Sequence, residues 1–211
     1  MTEQKRTGSL PELLRFFLPL AVTWMLMMIT HTIISAGLSR TINPTVSTAA
    51  YAVALSLASI IDAPFNMLRQ TGMAFISSPQ TFQVVRRVTY MTLVFFMAIA
   101  IAIGYIPALE QLVFKDILGV SDELLAATIT AFRVTMLLSL ANALRCLYQS
   151  MILINKHTTY ISTGMFLRVG VMVLLIYCFA NFHWVVGPLV GSITLVVGLS
   201  VEGIVAYWFG R

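Results

Sequence analysis

Residues 46–77, VSTAAYAVALSLASIIDAPFNMLRQTGMAFIS, constrain this chain more than any other stretch. An apolar run of that length crosses a bilayer, yet near its middle it carries Asp62, Pro64, Asn66 and Arg69. Asp62, Asn66 and Arg69 follow an i, i+4, i+7 spacing, so on a helix they share one face. Pro64 lies among them, removes one backbone hydrogen bond and favours a kink. A charge at the bilayer centre costs at least about 2.5–3.5 kcal/mol on insertion scales. Two charges and an amide on one face are therefore expected to look into a polar interior, not at lipid.

The rest of the chain shares this apolar character. Of its 211 residues 59% are hydrophobic and only 10% charged, against about 25% charged in soluble domains. That composition makes it an integral membrane protein. The net charge of +5 suggests nucleic acid at first sight, but no basic cluster longer than Arg86-Arg87 occurs. The excess belongs instead to loops on one side of a membrane.

Residues 1–11 read as a polar, basic tail, and residues 12–211 as a six-helix bundle with spans at about 12–38, 46–77, 88–106, 122–154, 159–180 and 185–209. Asn43-Pro44 marks the first turn, SSPQTFQVVRR the link into helix three, and Pro107 the end of that helix. The acidic segment 108–125 reads as a short interfacial helix and loop, with Ser121 as an N-cap before Asp122 and Glu123. Lys5, Arg6, Arg15, Arg86, Arg87, Lys156 and Arg211 all fall on one side of these six spans. Arg40 and Lys115 fall on the other, with Glu110, Asp116, Asp122 and Glu123. The positive-inside rule then puts both termini in the cytoplasm, and Trp184 and Trp208 read as interface anchors at the two ends of helix six. The plasma (inner) membrane is the expected location. A first apolar run reaching Leu38 is too long for the h-region of a cleaved signal peptide.

A second polar stripe repeats on helix four. Asn142, Arg145 and Gln149 have i, i+3, i+7 spacing and reach the same depth as the helix-two stripe, so contact between the two is expected. Arg168 lies near the middle of helix five and Glu202 in helix six. Ion pairs among these groups would serve simply to hold the bundle together. The count argues for more. Arg69, Arg145 and Arg168 outnumber Asp62 and Glu202, and arginine does not discharge by deprotonation. The surplus guanidinium calls for an anion, such as a solute carboxylate or phosphate. Asn66, Arg69, Asn142, Arg145, Gln149 and Arg168 are thus the candidate solute-binding residues, with Asp62 and Glu202 as the ion-coupling or gating acids.

Other polar residues carry less. Arg133 lies about a third of a turn round the helix from Arg145 and reads as a snorkelling or outer-mouth residue. His31 reads as a hydrogen-bonded core residue rather than a proton relay. Tyr51, Tyr148 and Tyr177 either line a pathway or pack, and Gly187-x-x-x-Gly191 allows close helix approach. Cys146 and Cys178 sit in apolar runs and read as small buried hydrophobes, and the histidines show no metal-ligand spacing. No Gly-rich phosphate loop, HExxH or GxSxG occurs. Neither an enzyme nor a cofactor site is expected.

The segments LLRFFLPLAVTWMLMMITHTIISAGLSR, AAYAVALSLASIIDAPFNMLRQTGMAFI and AFRVTMLLSLANALRCLYQSMILINKHTTYISTGMFLRVGVMVLLI resemble the multidrug and toxic compound extrusion (MATE) transporters, in the MOP flippase superfamily. The last two are nearest the progressive ankylosis (ANK) branch, where a polar helix-two centre precedes a glycine and an Asn/Lys-Lys turn joins helices four and five. The resemblance implies an all-α fold in which this chain is one six-helix lobe, most like the N-terminal one. It also implies a second six-helix lobe as partner, either a missing C-terminal half or a homodimer mate. The function implied is secondary transport by alternating access. The arginine surplus favours an anionic or amphipathic solute over the cations of the drug-exporting branch. The alternatives are cation-coupled drug efflux with Asp62 as coupling acid, and a membrane assembly subunit with no transport of its own.

Overall fold

The computed structural model describes residues 10–155, 157–182 and 187–210. Expectations about the N-terminal tail, Lys156, His183, Trp184 and Arg211 lie outside them. The chain is an all-helical multi-pass membrane protein, with six helical spans long and apolar enough to cross a bilayer and no strand among the described residues. In chain order the helices are α1 (Leu10–Leu38), α2 (Pro44–Phe75), α3 (Pro79–Tyr105), α4 (Pro107–Glu110), α5 (Asp122–Thr135), α6 (Leu138–Ile154), α7 (Thr158–Phe182) and α8 (Leu189–Gly210).

Local chemistry explains where the boundaries differ from expectation. Helix three begins nine residues before the expected residue 88, because Ser78 and Thr81 form a capping box and Pro79 occupies the first turn. Arg86 and Arg87 therefore ride on a helix rather than in a loop. Helix two continues as one helix through Pro64. The expected interfacial helix is short, and it runs on from α4 as a wider π-helical coil over Gln111–Ile117. Ser121 stands at the N-cap of α5 but makes no side-chain cap bond. The fourth span is divided at Met136–Leu137, where Leu137 N–H donates to Val134 O and Ser139 N–H to Met136 O in i→i−3 fashion. This is a tight 3₁₀-like turn inside an otherwise long helix.

Helix α8 is the axis of the bundle. It packs on α6 and α7, and less extensively on α5 and α1; 56% of its span is buried, against 22% of α3's. Glycine makes the approach to α6 possible. A Cβ at Gly203 would stand 3.2 Å from Ala141 O, and one at Gly210 only 2.8 Å from Tyr148 O. Gly187 is a turn residue with φ +68° rather than part of a helical glycine face, while Gly191 meets the Tyr51 ring. Helix α1 packs on α7, α2 on α5 and α6, and α3 on α2, whereas α1 and α2 barely touch.

Arg133 caps the end of α3. Its Nε donates to Gly104 O at 2.7 Å, its Nη2 pairs with Glu110 at 2.7 Å, and its guanidinium lies 4.8 Å from the centre of the Tyr105 ring. The nearby Lys115–Asp122 pair is exposed, and such pairs contribute little. His31 is exposed on α1, not a core residue.

Candidate functional site

Close α6–α8 packing aims the Glu202 carboxylate at α6, and α7 approaches from the other side. Oε1 accepts from Gln149 Nε2 at 2.9 Å and from Arg145 Nη1 at 3.3 Å; Oε2 accepts from Arg168 Nη1 at 2.9 Å. Arg145 is gripped from its other edge by Asn142, whose Oδ1 accepts from Nε at 3.2 Å and Nη2 at 2.7 Å. The i, i+3, i+7 stripe of α6 thus closes on one carboxylate. All of it is shielded: Asn142, Gln149, Arg168 and Glu202 are buried, and Arg145 largely so. Beside Glu202 and Gln149 there is only a crevice too narrow to admit a water molecule. Among the described residues, Arg168 Nε and the Tyr51 hydroxyl find no partner in this interior.

The helix-two residues divide. Asp62 is buried and accepts a hydrogen bond from Ser139 Oγ on α6. No guanidinium lies within ion-pair distance of it among the described residues. The reading in which both acids hold the arginines is thus met by Glu202 alone. Ser139 escaped sequence reasoning because a serine in an apolar helix usually bonds its own backbone. No hydrogen bond or ion pair joins the two stripes directly among the described residues; α2 and α6 meet instead through Asp62–Ser139 and, more loosely, through Cys146, whose Sγ lies 3.5 Å from Asn142 Oδ1 and 3.9 Å from Asn66 Oδ1. Asn66 itself is exposed, and Arg69, half-buried, has no hydrogen-bond or ion-pair partner among the described residues.

The arginine surplus can now be located. Arg145 and Arg168 share Glu202, and Asp62 supplies a second negative charge one α2–α6 contact away, so the unmatched cation is Arg69. By the helical rise it stands about 14 Å from the middle of α2, near the edge of the hydrocarbon layer.

Next to Arg69 the outward face of α2 has an unusual make-up. Ala52, Ser56, Ser59, Ala63, Asn66 and Gln70 are all exposed and follow one another at spacings of four and three residues, bordered on one side by the exposed Ile60 and Met67. Ser56 and Ser59 return their hydroxyl hydrogens to the Ala52 and Leu55 carbonyls, but the Asn66 and Gln70 amides donate to nothing among the described residues. The outward face of α3, by contrast, presents Val84, Val88, Met91, Val94 and Phe95, the composition of a lipid-facing surface.

Cys146 and Cys178 are both free thiols, and no metal-binding cluster occurs among the described residues. Tyr51 and Tyr148 pack inside the bundle, whereas Tyr177 is exposed. Comparison of the chain with protein-family models, with curated proteins and with solved structures finds no match.

Proposed function

We propose that this chain is one six-helix lobe of a MATE-like secondary transporter that moves an anionic or amphipathic solute across the plasma membrane by alternating access. The observation that carries this reading is the small, polar, unpartnered face of α2 beside the unmatched Arg69. An amide left unpaired in hydrocarbon costs on the order of 1–3 kcal/mol or more. Asn66, about 10 Å from the middle of α2 by the helical rise, lies within the hydrocarbon layer with its amide N–H groups unpaired among the described residues, and is better accounted for by water, solute and a facing lobe than by lipid. Arg69 would supply the positive charge, and Asn66 the directional hydrogen bond. A second six-helix lobe would close the pathway, and the buried arginines on Glu202 would keep this lobe rigid as it rocks. Asp62 stands directly behind this face, where it is positioned to exchange a proton as the solute enters.

The test is uptake into proteoliposomes of a panel of labelled anions: phosphate, phosphomonoesters and di- and tricarboxylates. At least one should accumulate, and Arg69→Gln should abolish its uptake at an unchanged melting temperature. Wild-type uptake by Arg69→Gln would defeat the assignment. One observation favours a second reading, cation-coupled efflux: among the described residues Asp62 has a serine hydroxyl as its hydrogen-bond partner and no ion pair. Efflux of a cationic dye that is lost in Asp62→Asn, with no anion transported, would select it.

A further inference from the structure

A cleft of about 580 Å³ opens where the α2–α3 turn meets the ends of α6 and α8. None of the residues discussed above as a solute site lines it. We propose that this cleft binds the phosphate head of an anionic amphiphile. The inference is independent of the transport reading, since it uses a different surface of the bundle.

Besides two tyrosines, four polar side chains from three elements border the cleft: Ser77 and Ser78 from the turn, Arg86 from α3 and Asn155 from the end of α6. Among the described residues Arg86 is the one charged residue in the lining, no carboxylate lines the cleft with it, and it has no ion pair. A fork of guanidinium donors, a hydroxyl and an amide suits the several acceptor oxygens of a phosphate. The opposite wall is aromatic. Phe82 and Tyr148 are tilted at 51° with ring centres 6.3 Å apart, and Tyr148 and Tyr207 meet edge to face at 4.9 Å. The volume lies within the range of small-molecule sites, about 300–1,000 Å³. It far exceeds an inorganic phosphate, so the ligand carries an apolar body to lie on those rings.

Position narrows the ligand further. Trp208 and Phe75 flank the same end of the bundle and are 78% and 67% exposed, as aromatic residues at the membrane–water boundary are. The cleft therefore opens at headgroup level. There an anionic phospholipid and a soluble organic phosphate present the same chemistry.

Binding to the full-length chain in detergent separates these sources. The probes are dihexanoyl phosphatidic acid, dihexanoyl phosphatidylcholine, glycerol 3-phosphate and inorganic phosphate. Phosphatidic acid should bind saturably, and Arg86→Gln should weaken it by about tenfold or more. Arg87→Gln, one residue along and outside the cleft, should leave it within about twofold, and Asn155→Ala should give an intermediate loss. Competition by glycerol 3-phosphate at equal concentration would keep the site and assign it a soluble ligand. Equal losses in Arg86→Gln and Arg87→Gln would reduce the effect to general surface charge and overturn the proposal. So would phosphatidylcholine binding as tightly as phosphatidic acid, or no saturable binding at all. Arg86 is exposed, so its substitution should not unfold the protein, and unchanged melting temperatures would confirm that the comparison is fair.

Discussion

The carboxylate of Glu202, between α6, α7 and α8, accepts from two guanidiniums and an amide, whereas among the described residues Arg69 on α2 has no acceptor and Asn66 has only the loose Cys146 thiol at 3.9 Å. Both regions consist of arginine and amide side chains on apolar helices. The first is dry and closed, with two guanidiniums sharing one carboxylate, as suits a structural clamp in a medium that punishes unpaired charge. The second is open, and its unmet donors face away from the bundle. Arginine within a membrane helix is therefore not one kind of signal: its meaning depends on whether a carboxylate on another helix has already claimed it.

Substitutions can break this contrast at either end. The largest effect is expected from Glu202→Gln, which strips the shared acceptor from Arg145 and Arg168 and should cost about 3–5 kcal/mol, read as loss of folded protein in detergent denaturation. A variant as stable as wild type would mean that the network holds nothing. Arg145→Ala should cost less, about 1.5–3 kcal/mol, because Glu202 keeps Arg168 and Gln149. The sequence makes Arg145 a candidate solute-binding residue; its grip on both Glu202 and Asn142 makes it a structural one as well. If transport fails in this variant, stability must be measured beside it.

Ser139→Ala comes next, at about 1–3 kcal/mol, since it leaves the Asp62 carboxylate buried without its donor. Asp62→Asn in the same background should recover most of that loss, and no recovery would show that Ser139 matters for packing rather than for the acid. The smallest effect on stability belongs to Arg69→Gln. Its melting curve should lie within about 0.5 kcal/mol of wild type, while anion uptake falls to background. A large destabilisation here would place Arg69 with the clamp and erase the contrast.

Much of this architecture is legible in the residues. Hydropathy and the helical repeat suffice for six spans, because both depend on short stretches of chain. The α6 stripe is legible for the same reason, since spacing alone puts Asn142, Arg145 and Gln149 on one face. The early start of α3 is written there too, in Ser78, Pro79 and Thr81, but its signal lies in a polar segment that hydropathy discounts.

What spacing does not fix is the rotation of each helix about its axis and the identity of its neighbour. Asp62, Asn66 and Arg69 share a face, yet that face straddles the edge of the α2–α6 contact, so one residue is buried, one exposed and one between. Small residues far apart in the chain set that geometry. Gly203 and Gly210 admit α6 against α8 and let Glu202 reach Arg145, and Gly72 meets Ser150 across the α2–α6 seam. The sequence by itself determined that polar groups would lie in the membrane and on which helix faces. Only the tertiary structure decided which arginines are neutralised and which is left over, because a carboxylate at 2.9 or 3.3 Å is a property of packed helices and not of any one of them.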